Sequence, residues 1–326
     1  MADELVEVTS NKKAPKAKPI VSIPKDVFAA LNKGCSTYTP IKGVPFKPQK
    51  GKGFDKETAL FLINADIYAY TQFCNPDKPS EFPSAVENGQ LLYWHELFNI
   101  FNKKMPCGYI AEIKPPSHDK TNRVIIAIRG TEKMEEWVAD LDYTQTDVFI
   151  PSLKQRVKIH TGFWDTFTKT ATHHTLSLQK QIHQYLNKTK PDEIYVIGHS
   201  LGASVSTLIL FDLILSYPGT KIISYTIGSP RVGDRAFASA MEELAKNPAN
   251  HFVSWRIVNT EDIVTTVPLP HFREFNYSHL NNPQTAFPNT LGTIDFTENL
   301  ASVTDNHNPL TYYYAIKKSS PDKQSK

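Results

Sequence analysis

The sequence predicts an α/β fold with a mostly parallel central sheet covered by helices on both faces. Two observations carry this. Short, continuously apolar runs such as Val124-Ile125-Ile126-Ala127-Ile128 and Ile194-Tyr195-Val196-Ile197 alternate with longer helical stretches, and strands that are apolar at every position are those buried on both faces. The second observation is the junction Gly198-His199-Ser200-Leu201-Gly202, where an apolar strand runs at once into an apolar helix.

The elements follow in order. Ala59 to Tyr68 reads as a buried helix, and Leu91 to Phe101 as another. Tyr109 to Ile113 and Val124 to Ile128 read as strands separated by a Pro/Ser/His/Asp turn. Asp165 to Leu186 is one long helical stretch. The strand Ile194–Ile197 leads into a helix from Leu201 to Tyr217, then a strand Ile222–Ile227, a helix Arg235–Ala245 and a strand Val253–Val258. A strand-like run Phe272–Tyr277 and an apolar helix Leu310–Ile316 close the pattern, and no internal repeat is visible.

The 326 residues suit about two domains, or one large α/β domain with appendages, at roughly 150 residues per domain. A hydrophobic fraction of 40% and a charged fraction of 21% exclude disorder along the whole chain, as well as collagen-like and coiled-coil readings. With 36 Lys+Arg against 33 Asp+Glu, the net charge of +3 gives no reason to invoke nucleic acid.

Three cysteines, Cys35, Cys74 and Cys107, are odd in number and widely spaced, so they read as free thiols in a reducing compartment. The start of the chain has no apolar h-region, and the longest apolar stretch, Thr207–Tyr217, is interrupted by Asp212. Neither a secretory signal nor a transmembrane helix is expected, and the expected setting is cytoplasmic, peripheral to membrane at most. Residues 1–50, where lysines alternate with Pro15, Pro19 and Pro24, are expected to be a disordered tail. Residues 51–318 form the folded domain and 319–326 a polar end. Weak attachment of the lysine-rich tail to anionic membrane is the functional alternative to a merely solvated segment.

The chemistry centres on Gly198, Ser200 and Gly202. In G-x-S-x-G between a strand and a helix, the chain must turn sharply, and small residues on either side let strand and helix pass closely. The serine hydroxyl then stands at a helix N-terminus, where backbone N–H groups stabilise developing negative charge. The bland reading is a tight turn with an incidental serine. A serine needs a general base, usually histidine, oriented by a carboxylate, and here the chain order is serine, acid, histidine. Asp262 follows the strand Val253–Val258, with Glu261 as rival, while Asp212 and Asp234 fall in or at the start of helices. His271, His279 and His307 follow the acid. His307, ahead of the last helix, is the preferred base and His279 its competitor. His199 adjoins the nucleophile but points the wrong way for a base.

These residues resemble the fungal lipase-like, or class 3 lipase, family of the α/β-hydrolase superfamily. The ordered motifs are Ala127–Thr131, Glu136–Leu141, His160–Phe163, the Ser200 turn, Tyr225–Gly233, Val258–Pro268, and His307 with Tyr312 and Tyr313. The resemblance implies an α/β-hydrolase fold with Ser200, Asp262 and His307 as catalytic triad. It also implies an oxyanion hole from Thr131 and from the backbone N–H of Leu201, and a lid over 132–140 containing Met134, Trp137 and Val138.

It implies a serine carboxylic-ester hydrolase acting on lipid esters at a membrane or lipid-droplet surface, first an acylglycerol lipase. Phospholipase A1, short-chain esterase and transacylase activities use the same triad, and a catalytically silent scaffold binding lipid or protein is the reading from another class. No metal or organic cofactor is expected, since there is no H-E-x-x-H, no C-x-x-C and no Gly-rich nucleotide loop.

Overall fold

The computed structural model describes residues 6–8, 38–75, 81–95, 105–115, 118–131, 143–171, 173–272, 274–280, 291–300 and 303–319. In chain order the elements are β1 (Val6–Val8), α1 (Lys56–Cys74), β2 (Val86–Leu92), β3 (Gly108–Ile113), β4 (Arg123–Ile128), β5 (Gln145–Ile150), β6 (Gln155–His160), α2 (Thr161–Thr168) and α3 (Leu178–Thr189). They continue with β7 (Glu193–His199), α4 (Leu201–Ser216), β8 (Lys221–Ile227), α5 (Arg235–Lys246), β9 (Phe252–Asn259), β10 (His271–Phe272), β11 (Phe275–Asn276), β12 (Leu291–Phe296), α6 (Val303–His307) and α7 (Pro309–Lys318).

Among the described residues, a seven-stranded sheet has the order β12-β9-β8-β7-β4-β3-β2. Pairing is parallel from β12 through to β4 and antiparallel across β4-β3-β2. The sheet is thus mostly parallel and helix-covered on both faces, as in α/β-hydrolases. A side sheet, β1-β5-β6, is antiparallel.

Burial shows why these runs are strands. Val124, Ile126 and Ile128 enter one apolar cluster with α2, α3, α4 and α5. Their neighbours Ile125 and Ala127 enter a second cluster with α1 and α7. Strand side chains alternate between faces, so only a run apolar at every position serves a sheet covered on both sides. Helix α4 is buried from Leu201 through Ile214, which explains a helix without a polar face.

Several expectations are corrected. Leu91 and Leu92 end strand β2 rather than begin a helix; the remainder of that stretch, from 96, lies outside the described residues. The single helix over 165–186 is two, because the chain breaks between α2 and α3. There Thr170 bridges to Ser177, and Ser177 caps α3 by accepting the Lys180 N–H. The folded part also begins before residue 51. Gln49 is buried, its N–H donates to Tyr195 Oη at 3.2 Å, and its Oε1 accepts from Tyr225 Oη at 2.8 Å. Val6–Val8 pairs with β5; the rest of the expected tail to residue 37 lies outside the described residues, as do 320–326. Cys74 is disulfide-bonded, against the expectation of three free thiols, while Cys107 is buried and outside any disulfide. Spacing along the chain gives no measure of which cysteines the fold brings together. Among the described residues, no helix is long and apolar enough to cross a membrane.

Candidate active site

Strand β7 ends at His199 and α4 begins at Leu201, so Ser200 carries the whole turn. Its backbone sits at φ 60° and ψ −126°, a conformation costing about 1–3 kcal/mol for a residue with a Cβ. The flanking glycines are needed for steric reasons. A Cβ at Gly202 would lie 2.1 Å from the Ile128 carbonyl oxygen, and one at Gly198 would lie 2.3 Å from the Gly202 carbonyl oxygen. Strand β4 and the N-terminus of α4 therefore touch backbone to backbone beside Ser200. In the first turn of α4, the Ala203 N–H donates to the Ser200 carbonyl at 3.0 Å, whereas the N–H of Leu201, the first residue of the helix, has no carbonyl within the helix to reach and lies at the positive end of the helix dipole. The turn after β4 closes the other side, where a Cβ at Gly130 would lie 2.7 Å from Ser200 Cβ. Thr131 follows this contact directly and is partly exposed.

Asp262 ends the loop after β9 and is fully buried. Its Oδ1 accepts the Val264 N–H at 3.0 Å. Its Oδ2 lies 2.6 Å from His307 Nδ1 and accepts from Tyr312 Oη at 2.6 Å. A carboxylate oxygen only accepts, so His307 Nδ1 carries the proton when the ring is neutral, leaving Nε2 as the acceptor. That Nε2 is buried and has no hydrogen-bond partner among the described residues, which is the arrangement a general base would need. Burial and the adjacent Asp262 hold the Tyr312 hydroxyl far above its ordinary pKa, so it stays a donor.

The five predicted residues divide clearly. Asp262 and His307 are hydrogen-bonded, and Ser200, Leu201 and Thr131 stand at the adjoining elbow and turn. His307 is the last residue of the short helix α6 rather than part of a loop. The rivals are engaged elsewhere. His279 Nε2 lies 2.8 Å from the Thr265 carbonyl and 3.2 Å from Arg256; burial and the charges of Arg256 and Arg231 push its pKa well down. His271 Nδ1 lies 2.7 Å from Asn276 Oδ1. Glu261 is exposed, Asp212 pairs with His183 at 2.6 Å, and Asp234 caps α5. The expected lid, 132–140, lies outside the described residues.

Three contributors had no role in the sequence reading. Gly228, at φ +60°, leaves room for the acid and base: a Cβ there would lie 2.9 Å from His307 Cε1 and 3.1 Å from Asp262 Oδ2. Tyr312 was quoted in a motif, but its bond to Asp262 bridges 50 residues. Tyr70, on α1, contacts both Gly130 and His199 and lies in no motif.

One turn before Tyr70 stands Asp66, fully buried, with neither carboxylate oxygen hydrogen-bonded among the described residues. Burial pushes its pKa well up, against the opposing pull of Arg129. An acid raised in this way takes up a proton on folding. Its penalty is absent below the unfolded pKa and grows as pH rises toward the folded value. Asp66→Asn is therefore expected to raise Tm, with a gain that widens from about pH 4 upward. Thermal unfolding at pH 4 and pH 8 checks this; a variant no more stable than the parent at pH 8 refutes it.

A mostly parallel sheet, a strained serine elbow at the carboxyl end of its strand, and a buried histidine–aspartate pair near it are the features of an α/β-hydrolase fold. Residues 125–272 match the model of the class 3 lipase family. Over 165 residues the chain is 34% identical to the secreted mono- and diacylglycerol lipase A of Penicillium cyclopium, covering 50% of this chain and 47% of that protein. It is 29% identical over 210 residues to a lipase of Rhizomucor miehei, covering 60% and 53%. It is 25% identical over 227 residues to phospholipase A1-II 1 of Oryza sativa subsp. indica, covering 64% and 54%. The chain thus spans about half the length of the curated relatives it matches. Among solved structures, a Rhizomucor miehei lipase propeptide complex is similar at 20% identity and a TM-score of 0.49, covering 93% of each chain.

Proposed function

We propose that this chain is a serine carboxylic-ester hydrolase of lipid esters, first an acylglycerol lipase. The observation that carries this is the buried Asp262–His307 pair, with Nε2 unpartnered beside the strained Ser200 elbow. In the proposed reaction, Ser200 Oγ attacks the acyl carbonyl while His307 Nε2 takes its proton. The carbonyl π electrons move onto oxygen, and the backbone N–H groups of Thr131 and Leu201 stabilise that oxyanion. Collapse breaks the ester C–O bond, and His307 returns the proton to the leaving alcohol. Water, deprotonated by His307, then attacks the acyl-enzyme; the acid leaves and Ser200 regains its proton.

Acylglycerols come first because relatives named as a mono- and diacylglycerol lipase and as a lipase match. Phospholipase A1 is the second reading because proteins of that name also match. The test is hydrolysis of para-nitrophenyl esters of graded acyl length, below and above aggregation of the ester. A preference for long chains with a jump on aggregation supports a lipase, and short-chain preference without a jump indicates a plain esterase. A folded protein with no turnover and no labelling by a fluorophosphonate probe would be a silent scaffold. Comparing diacylglycerol with phosphatidylcholine as substrate separates the two lipid readings, and adding an acceptor alcohol tests for transacylation.

The site of action is proposed to be an oxidising compartment or the cell exterior. The cytoplasmic expectation rested on the lack of a recognisable signal or transmembrane segment and on three free thiols; Cys74, however, is disulfide-bonded, and disulfides persist where the surroundings are oxidising. Alkylation of denatured, unreduced protein should modify fewer thiols than alkylation after reduction. Equal labelling would restore the cytoplasmic assignment.

A further inference from the structure

We propose that Tyr70 and His199 are positioning residues. They form a buried hydrogen-bond chain that ties the oxyanion turn to the main chain of the catalytic histidine. The proposal rests on the serine-hydrolase reading above.

The chain has four members. The Gly130 N–H donates to Tyr70 Oη at 2.8 Å. Tyr70 Oη lies 2.6 Å from His199 Nδ1. His199 Nε2 lies 2.7 Å from the His307 carbonyl oxygen. The roles follow from chemistry. A carbonyl oxygen only accepts, so His199 Nε2 carries the ring proton and Nδ1 is a lone pair. The Tyr70 hydroxyl therefore donates to Nδ1, and its oxygen is free to accept from Gly130. Each donor and each acceptor along the path is used once, and all three bonds run in one direction.

The members are buried: Tyr70 at 0% exposure, His199 at 2% and His307 at 4%. The Tyr38 ring stacks on Tyr70 with centroids 4.1 Å apart, covering the chain from outside. Such a network loses much of its worth when a member is removed, because its buried neighbours are left unpartnered.

Its position makes it more than a packing feature. Gly130 precedes Thr131, the proposed oxyanion donor, and also touches Ser200. His307 is the proposed base. These two lie on separate segments, the turn after β4 and the end of α6, and His199 adjoins the nucleophile. The rings of His199 and His307 are 4.4 Å apart. When His307 takes up a proton, the neighbouring ring must not compete for it. Burial and the charge of His307 hold His199 well below its ordinary pKa, so it remains the neutral tautomer that the chain requires. A small misplacement of either segment is costly, since errors of about 1 Å in a reacting site cost up to about a hundred-fold.

The test uses the full chain and three variants, with kcat and KM on a soluble para-nitrophenyl ester, the rate of fluorophosphonate labelling, and Tm. Tyr70→Phe preserves shape and removes the hydroxyl. It is expected to lower kcat and the labelling rate by roughly 10- to 100-fold, with KM changed less than about two-fold. His199→Leu is expected to show the same loss. His199→Gln keeps an amide donor that reaches the His307 carbonyl, and is expected to recover most of what His199→Leu loses. The proposal is overturned if folded Tyr70→Phe turns over at the wild-type rate. It is also overturned if His199→Gln and His199→Leu lose activity equally and in step with Tm, which would indicate packing alone. Should Tyr70→Phe fail to fold, the two His199 variants decide the matter between them. A wild-type protein that the probe does not label would instead sink the hydrolase reading itself.

Discussion

Ser200→Ala is expected to lower ester turnover by about a million-fold, because the members of such a triad act as a unit and losing the nucleophile costs nearly as much as losing all three. The variant should fold. Alanine keeps the Cβ that the turn already accommodates, and the removed hydroxyl is not what holds strand β7 against α4. That contact belongs to Gly198 and Gly202, whose backbones approach β4 and each other too closely for any side chain. The N–H groups at the start of α4 also stay, so a small residual rate from oxyanion stabilisation is consistent with the assignment. Retention of more than a tenth of wild-type kcat at an unchanged Tm would remove Ser200 from the mechanism. Loss of activity together with loss of the folded state would require the same comparison with Ser200→Cys.

Asp262→Asn is the second large effect, a fall in kcat of about ten-thousand-fold from the wrong histidine tautomer. Oδ2 accepts two hydrogen bonds, from His307 Nδ1 and Tyr312 Oη, and Oδ1 accepts a third from the Val264 N–H. An asparagine offers one acceptor and one donor group. With its amide nitrogen toward His307, it faces the tyrosine hydroxyl and forces a proton off Nδ1. The ring then carries its hydrogen on Nε2, where a base needs a lone pair. With the amide turned round, its N–H groups meet the Val264 N–H in a fully buried position. Either orientation costs a buried hydrogen bond, about 1–3 kcal/mol, so a fall in Tm should accompany the kinetic loss. KM should change little, since Asp262 touches no part of a substrate. A variant within ten-fold of wild-type kcat would exclude Asp262 as the residue orienting His307, and Glu261 would have to be tested in its place.

Much of the site was readable before any coordinates. Ser200 was legible because its chemistry is local: an apolar strand, two glycines and an apolar helix suffice to describe a turn that presents a hydroxyl. Asp262 and His307 were legible only as positions in an order, acid after strand and histidine before the last helix. His307 was preferred to His279 for its place ahead of the last helix, and the resemblance implied the same choice. The structure supplies a physical distinction, since His279 is held between the Thr265 carbonyl and Arg256.

The errors have a common cause. Leu91 and Leu92 were assigned to a helix because a short apolar run has no reliable period, and pairing with β3 makes them strand. The stretch 165–186 looked continuous because its helical spacing carries across the break, which Ser177 makes by capping α3. Gln49 was placed in a tail by the lysines and prolines around it, yet two tyrosine hydroxyls from the sheet claim it.

By itself, then, the sequence determined the strands, most of the helices and the nucleophile's turn. Those depend on side-chain alternation and on backbone geometry within a few residues. Only the tertiary structure decided which groups meet around that turn. Tyr70 reaches His199 across 129 positions, and His199 reaches the His307 carbonyl across 108. Gly228 makes room for a histidine and an aspartate that lie far along the chain. A hydrogen bond is directional and effective only within about 3 Å. Its partners are chosen by the order and register of the strands that carry them, and no local pattern in the chain encodes that order.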